Sequence, residues 1–182
     1  FGGSLAYLSW DTDNSQRTMV SVTLPGATLT IEGGKIYDTV MYSTAHCAGD
    51  GALVGGVITA TAVNSSQLDM EVILKLRASL SSKHGTITDE MKSHLHWAVV
   101  DTSTDATCVN TPYSGNFVGV TTNTVIDPGI NYIATANATT IRNYRLYAWL
   151  DSTYEHINYG SDITDPMEDL YVELSFRPTS EM

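Results

Sequence analysis

The chain has 182 residues, of which 42% are hydrophobic and 16% are charged, and these values predict a single globular domain with a sizeable core. Twenty acidic residues against nine Lys and Arg give a net charge of −11, which argues against nucleic acid or anionic lipid as a partner and permits cation binding. No apolar run approaches the roughly 18 residues of a membrane span. The nearest, Ala52–Val63, is interrupted by Gly55 and Gly56.

The first segment, Phe1–Trp10, is typical of a strand that is covered on both sides. Along an extended backbone Leu5 and Tyr7 point one way, and the opposite side carries Ala6, Leu8 and Trp10. Gly2-Gly3 precedes it as a flexible hinge. Two interpretations remain open at this point. The segment is either an ordinary first strand or a detachable strand that completes a neighbour's sheet by β-strand addition.

Three features indicate an extracellular protein. The sequence begins at Phe1 without Met, as a processed secreted protein would. Cys47 and Cys108 are the only cysteines, and a disulfide between them is favoured over two buried thiols. Closing a loop of this length would stabilise the fold by about 4 kcal/mol. Asn64 and Asn137 each begin an Asn-x-Ser/Thr glycosylation motif.

Strand patterns dominate the rest of the chain, with alternating side chains and many Val, Ile and Thr residues. The predicted strands are Thr18–Leu24, Ala27–Ile31, Lys35–Thr44, Leu53–Val63, Asp69–Leu80, Trp97–Val100, Asn116–Thr122, Thr124–Ile126, Asn131–Ala136, Thr140–Leu150 and Leu170–Phe176. Gly33-Gly34 predicts a hairpin turn, and Asp127-Pro128-Gly129 predicts a turn between two strands. The glycine pair within Leu53–Val63 predicts a bulge or a close approach by another backbone.

One segment, Thr86–Leu95, has a helical pattern. Thr86 and Asp89 have the spacing of a capping box, and apolar residues recur every four positions. One short helix among ten or so strands predicts an all-β fold, a single-domain antiparallel β-sandwich with jelly-roll topology. The sequence thus divides into the strand of residues 1–10 and a sandwich domain of residues 11–182.

Clustered carboxylates predict a calcium site, because Ca²⁺ takes six to eight oxygen ligands. Eight acidic residues and one base, Arg177, lie between Asp151 and Met182, and Asp11–Ser15 resembles half a calcium loop. The loop is not an EF-hand, because Gln16 and Val22 replace the required Gly and Glu. The candidate ligands are Asp11, Asp13, Asp162, Asp165, Glu168 and Asp169. For the segment 165–169, a helical turn capped by its first Asp is an equally good interpretation.

Other chemistry has weaker support. His94 and His96 have the spacing of metal ligands in cupin-type jelly rolls, with Asp101 in place of the usual Glu, but a structural role is favoured. No nucleophile or phosphate-binding motif is present in the sequence, which favours a non-enzymatic protein. Several aromatic residues could stack on sugars, although strand aromatics more often form the core. They are Tyr7, Trp10, Tyr144, Tyr147 and Trp149.

The start at Phe1, the first strand leading into Asp11–Asn14, and the strand Tyr144–Asp151 resemble the cannula proteins of hyperthermophilic archaea, secreted subunits of hollow extracellular tubes. More distantly the chain is similar to the TasA/camelysin group and to archaeal bundling pili. The resemblance implies a jelly-roll subunit that is completed by its neighbour's N-terminal strand, with assembly promoted by divalent cations. The implied donor strand comprises Ser4, Leu5, Ala6, Tyr7, Leu8 and Trp10. The low charge content differs from the ion-pair networks expected of hyperthermophile proteins.

The expected function is therefore that of a structural subunit that joins copies of itself head to tail, with Ca²⁺ bound between them. One alternative is a calcium-dependent carbohydrate-binding module. Another is a cupin-like metalloenzyme.

Overall fold

The computed structural model describes residues 17–24, 26–40, 43–44, 47, 49, 51–105, 107–108, 113–154, 165–168 and 170–178. In these residues the fold is all-β with one short helix, as the sequence predicts. The helix is α1 (Asp89–Ser93). The strands are β1 (Arg17–Leu24), β2 (Ala27–Gly34), β3 (Ile36–Val40), β4 (Ser43–Thr44), β5 (Leu53–Val54), β6 (Ile58–Asn64), β7 (Met70–Ser81), β8 (Leu95–Asp101), β9 (Tyr113–Asn116), β10 (Thr124–Ala134), β11 (Ala138–Asp151) and β12 (Leu170–Pro178).

The strands form two sheets. The larger has the order β1-β2-β6-β11-β8-β9, with β4 and β5 also bonded to β11, and the smaller has the order β10-β7-β12-β3. Every pairing is antiparallel except that of β4 with β11. One apolar core fills the space between the sheets. Its most deeply buried side chains include Leu74, Leu76, Phe117, Leu146 and Leu174. The alternating pattern of β7 explains this arrangement, because every second residue from Val72 to Leu80 is buried. The antiparallel β-sandwich prediction is confirmed.

The predicted hairpin at Gly33-Gly34 is wrong. β2 runs through both glycines, and the chain then crosses at Lys35 from the larger sheet to the smaller one, where β3 pairs with β12. Gly33 has a φ of +140°, and a Cβ at this residue would collide with the Val57 carbonyl oxygen. Glycine is therefore required for a sheet-switching corner rather than for a tight turn.

The predicted turn at Asp127-Pro128-Gly129 is a bulge within one continuous strand. β10 pairs with β7 on both sides of it, with a register shift between Ile126 and Ile130. The Asp127 carboxylate accepts the Gly129 N–H at 2.9 Å, so the turn chemistry of these residues closes a local loop without ending the strand.

Two predicted boundaries also move. The helix begins after Thr88, whose hydroxyl accepts the Met91 N–H, so Thr86 is not the N-cap. The predicted strand 116–122 is mostly a turn: the strand here is Tyr113–Asn116, and Gly119 has a φ of +80°.

The disulfide between Cys47 and Cys108 is present, with Cα atoms 6.4 Å apart, and confirms the prediction. Both sulfurs pack with Ala98, Val100 and Tyr147 on the outer face of the larger sheet, so the bridge covers a second apolar cluster there. In the described part of the chain, no helix is long and apolar enough to cross a membrane.

Candidate functional site

The candidate site is built around β3, an edge strand of the smaller sheet. Among the described strands β3 is hydrogen-bonded only to β12. The Thr39 N–H donates to the carboxylate of its neighbour, Asp38 Oδ1, at 2.8 Å, so a side chain engages this backbone donor. Since an edge strand offers unpaired N–H and C=O groups, β3 is a template on which a further strand can pair.

An open groove of about 580 Å³ runs along this edge, between β3 in one sheet and β5 in the other. Its walls are Ile36, Tyr37 and Asp38 on one side and Leu53 and Val54 on the other. Its remaining lining consists of Gly34, Lys35, Gly55, Gly56 and Val57. The groove therefore combines a strand edge with walls of mixed polar and apolar character, and β-strand addition uses such an edge with side-chain contacts beside it.

Glycines, which have no side chains, form the floor of the groove. Gly34 and Gly56 cross so closely that a Cβ at Gly34 would collide with the Gly56 backbone. This confirms the predicted close approach of two backbones at the glycine pair. A Cβ at Gly56, by contrast, would lie in ordinary van der Waals contact, 3.4 Å from the Gly34 Cα, and Gly56 is exposed.

Two of the eight exposed large apolar side chains in the described residues line this groove. Val54 is 55% exposed and Val57 is 45% exposed. Leu53 beside them is packed against the core. The groove thus continues the apolar core outward to the surface.

The charges near the groove are internally paired. Lys35 is only 4% exposed, and its Nζ lies 3.9 Å from Glu173 Oε1 and 5.4 Å from the centre of the Tyr37 ring. Tyr37 in turn packs edge to face on Tyr171 at 4.8 Å. Burial, together with Tyr37, raises the pKa of Tyr171. Asp38, the acidic residue that lines the groove, is exposed to solvent.

The predicted donor strand, Ser4–Trp10, lies outside the described residues, and so do the candidate metal ligands Asp11, Asp13, Asp162 and Asp169. These assignments remain predictions. The disulfide is the predicted site feature that the structure brings together.

Two candidate metal ligands are described. Asp165 is buried, and its two oxygens accept the Tyr154 hydroxyl at 2.8 Å while Oδ1 also accepts the Met167 N–H. These bonds match the alternative interpretation, a capped turn. Glu168 is exposed in the same turn. Within the described ranges, no group of three or more His, Cys, Asp or Glu side chains could hold a metal ion.

The histidines of the cupin hypothesis have separate partners. His94 ends α1, and its Nδ1 lies 3.2 Å from Thr153 Oγ1. His96 Nε2 lies 3.1 Å from Asp151 Oδ2. Hydrogen bonds from Thr153, strengthened by His96, lower the pKa of Asp151. Asp101, at the far end of β8, instead accepts bonds from the backbone and hydroxyl of Ser103.

Asn64 is a structural amide rather than an exposed glycan acceptor. It is 1% exposed, and its Nδ2 donates to the Leu68 and Ala134 carbonyls at 2.8 and 2.9 Å. A glycan would replace one of the two hydrogens on this buried nitrogen and break at least one of the bonds, so the Asn64 prediction does not fit the folded chain. Asn137 is exposed in the turn before β11 and remains a predicted acceptor.

The strand aromatics considered for sugar stacking are mostly core residues. Tyr144 and Tyr147 are buried, whereas Trp149 is half-buried and stacks on His96 at 5.4 Å. Sequence reasoning did not identify Tyr37, Tyr171 or Asp38. The first two are more than 130 positions apart in the chain, and only the pairing of β3 with β12 makes them neighbours. The alternation of residues 36–39 is a weak signal for an edge strand.

Comparison of the chain with known protein families and with curated proteins found no match in either.

Proposed function

We propose that this protein is a non-enzymatic structural subunit of an extracellular filament or tube, in which the segment Ser4–Trp10 of one copy pairs with β3 of the next copy. The observation that carries the proposal is the edge of β3 beside a glycine-floored groove that is partly lined by exposed valines. Contacts of this head-to-tail kind do not close on themselves, so they propagate into a fibre.

The groove suits the chemistry of the proposed donor. Main-chain bonds to the outward groups of β3 give affinity, and alternate side chains set the register. Leu5 and Tyr7, or Leu8 on the opposite side of the donor, would cover the exposed Val54 and Val57. At about 25 cal/mol per Å², covering apolar surface of this kind stabilises association.

The proposal includes calcium because each copy of the chain is strongly negative. Copies that each carry a net charge of −11 repel one another, and a divalent cation bound between carboxylates lowers that repulsion. Metal binding that requires two copies also drives association by mass action. The proposed ligands are the predicted acids of residues 11–13 and 162–169. The resemblance to tube-forming secreted proteins and the disulfide support an extracellular location.

The proposal is tested by light scattering of the full-length protein and of a version lacking residues 1–10, each with and without calcium. We expect large particles from the full-length chain alone, with more of them in calcium. Leu8→Asp, which places a charge in the proposed donor, should give folded monomers at every calcium concentration, whereas Leu8→Ile should assemble. Particles of equal size from the truncated chain would rule out the N-terminal segment as donor.

A further inference from the structure

A second depression lies on the outer face of the smaller sheet, away from the core. It has a volume of about 330 Å³, within the roughly 300–1,000 Å³ typical of small-molecule sites. Strand pairing assembles it, since Glu173 lies opposite both Tyr37 of β3 and Ser79 of β7. Its main lining residues are Tyr37, Arg77, Ser79, Asn123, Tyr171 and Glu173.

The aromatic part of this depression is held in place by its neighbours. Tyr37 and Tyr171 meet edge to face with ring centres 4.8 Å apart and planes inclined at 71°. The Lys35 ammonium lies 5.4 Å from the Tyr37 ring centre. Tyr171 is half-buried. A fixed ring of this kind offers an apolar surface beside a polar edge, which suits a ligand with both C–H and O–H groups.

The polar part is also fixed before any ligand binds. Asn123 Oδ1 accepts a bond from Arg77 Nε at 2.8 Å and a second one from the same guanidinium. The Asn123 N–H is donated to Ser79 Oγ at 2.8 Å. Asn123 has a φ of +53°, in the left-handed region that Asn tolerates. Two nitrogens of the Arg77 guanidinium are thereby tied to Asn123 beside the depression.

The charged groups that line the depression are of both signs. Its lining contains one base, Arg77, and one acid, Glu173, and Glu173 is also 3.9 Å from Lys35. An anionic ligand would in addition be repelled by a chain of net charge −11. Donors from Arg77 and acceptors from Glu173 match the hydroxyl groups of a neutral polyol.

We infer that this depression is a binding site for a neutral oligosaccharide built of pyranose sugars. One sugar face packs on Tyr171, and its hydroxyl groups bond to Arg77, Asn123 and Glu173. Binding here requires neither calcium nor strand addition, so the inference is independent of the proposed function. The site also differs from the aromatic residues considered from the sequence, which lie on other strands or outside the described residues.

The experiment uses saturation-transfer NMR on the full-length protein, a method that observes the ligand and works for monomers and large particles alike. The probes are hexasaccharides of β-1,4-glucose, β-1,3-glucose, β-1,4-mannose and α-1,6-glucose, each at up to about 10 mM so that a Kd near 1 mM still registers. We expect saturable transfer for at least one probe, strongest at the C–H groups of one ring face. Calorimetry then gives its Kd with and without EDTA.

Variants locate the site. Tyr171→Ala should weaken the probe's affinity about tenfold, the equivalent of one aromatic contact, while Tyr171→Phe should keep it within about threefold. Arg77→Met should also weaken binding. Ile141→Ala, at an exposed position on the opposite sheet, should leave it unchanged. Absence of transfer for all four probes, or a probe whose affinity is the same in wild type, Tyr171→Ala and Arg77→Met, would overturn the inference. Unfolding curves of each variant exclude a folding defect as the cause.

Discussion

The two edges of the smaller sheet are built in opposite ways. β10 is interrupted by a bulge at residues 127–129, where Pro128 lacks a backbone donor and Gly129 has a φ of +77°. β3 is short but regular, pairs with β12 at every residue, and lies beside a groove with exposed valines. Bulges and prolines are devices by which proteins prevent edge-to-edge pairing.

This difference indicates which edge of the smaller sheet can accept a further strand. A strand that approached β10 would be interrupted at the bulge, which leaves regular runs of three and five residues, whereas β3 is regular over its whole length of five residues. The main protection that we find on β3 is Asp38, whose carboxylate occupies the Thr39 donor. A single charged side chain, Asp38, therefore opposes strand pairing at β3, whereas a backbone bulge interrupts the edge of β10.

The largest effect is expected from Thr39→Pro. It removes a backbone N–H of the edge strand β3, so assembly should be lost. Because that N–H bonds a side chain and an edge position tolerates Pro, the free energy of unfolding should change by less than about 1 kcal/mol. Thr39→Val, which keeps the shape and the donor, should assemble normally. Light scattering and urea unfolding measure the two properties, and wild-type assembly of Thr39→Pro would contradict the assignment of β3 as acceptor.

A graded loss is expected when the groove is filled. The series Gly56→Ala, Gly56→Val and Gly56→Leu places larger side chains at an exposed position that lines the groove and accepts a Cβ without a clash. Particle yield should fall along the series, since each step removes room for the donor's side chains. Ile133→Phe, which enlarges an exposed side chain on β10, should have no effect. A yield that is independent of side-chain size at residue 56 would show that the groove is not used.

Alkaline pH should lower the free energy of unfolding through Tyr132, a residue of β10. Burial raises the pKa of this phenol from 10.0 to about 12, against the opposing effect of Arg142. The folded state binds the proton more tightly than the unfolded state, so the stabilisation is complete below pH 10 and is lost as the pH rises toward 12. About 2 kcal/mol of unfolding free energy should disappear over this range.

The matched variant is Tyr132→Phe, which lacks the titrating group. Its unfolding free energy should fall less between pH 9 and pH 12, measured by urea titration with the tyrosinate absorbance as a second signal. The burial of Tyr144 raises its pKa as well, so part of the alkaline sensitivity should remain. An identical pH dependence in wild type and Tyr132→Phe would contradict the account of this residue.

The smallest effect is expected from substitution of Asp38, whose carboxylate accepts the Thr39 N–H. Asp38→Val frees the Thr39 donor and removes an inward charge, so the association constant should rise about fivefold, equivalent to roughly 1 kcal/mol. Asp127→Val makes the same change in charge on β10 and controls for it. Equal increases in both variants would mean that net charge alone is responsible.

The sequence predicted the class of fold because alternation is a local property. In β7 every second residue is apolar and buried. The disulfide also followed from composition. The path of the chain at Gly33-Gly34 did not, because a glycine pair has the same signature in a hairpin and in a corner between sheets. Only the contact with Val57 in another segment distinguishes the two.

The candidate site was still less predictable. The partner of β3 is β12, at the other end of the chain, and no local pattern encodes that pairing. For the same reason the depression formed by Tyr37 and Tyr171 could not be found from spacing. The calcium ligands, by contrast, were predicted from the local abundance of acidic residues. One of them, Asp165, instead accepts hydrogen bonds that hold a turn.

Hydrogen exchange of the backbone amides, measured by mass spectrometry on monomers and on calcium-grown particles, tests the central claim most directly. If the N-terminal segment of one copy adds to β3 of the next, peptides covering residues 36–40 become strongly protected on assembly. Peptides covering 124–134 of β10 keep their monomer rates. Protection of β10 with unchanged exchange in β3, or particles in which neither edge gains protection, would contradict strand addition at this groove.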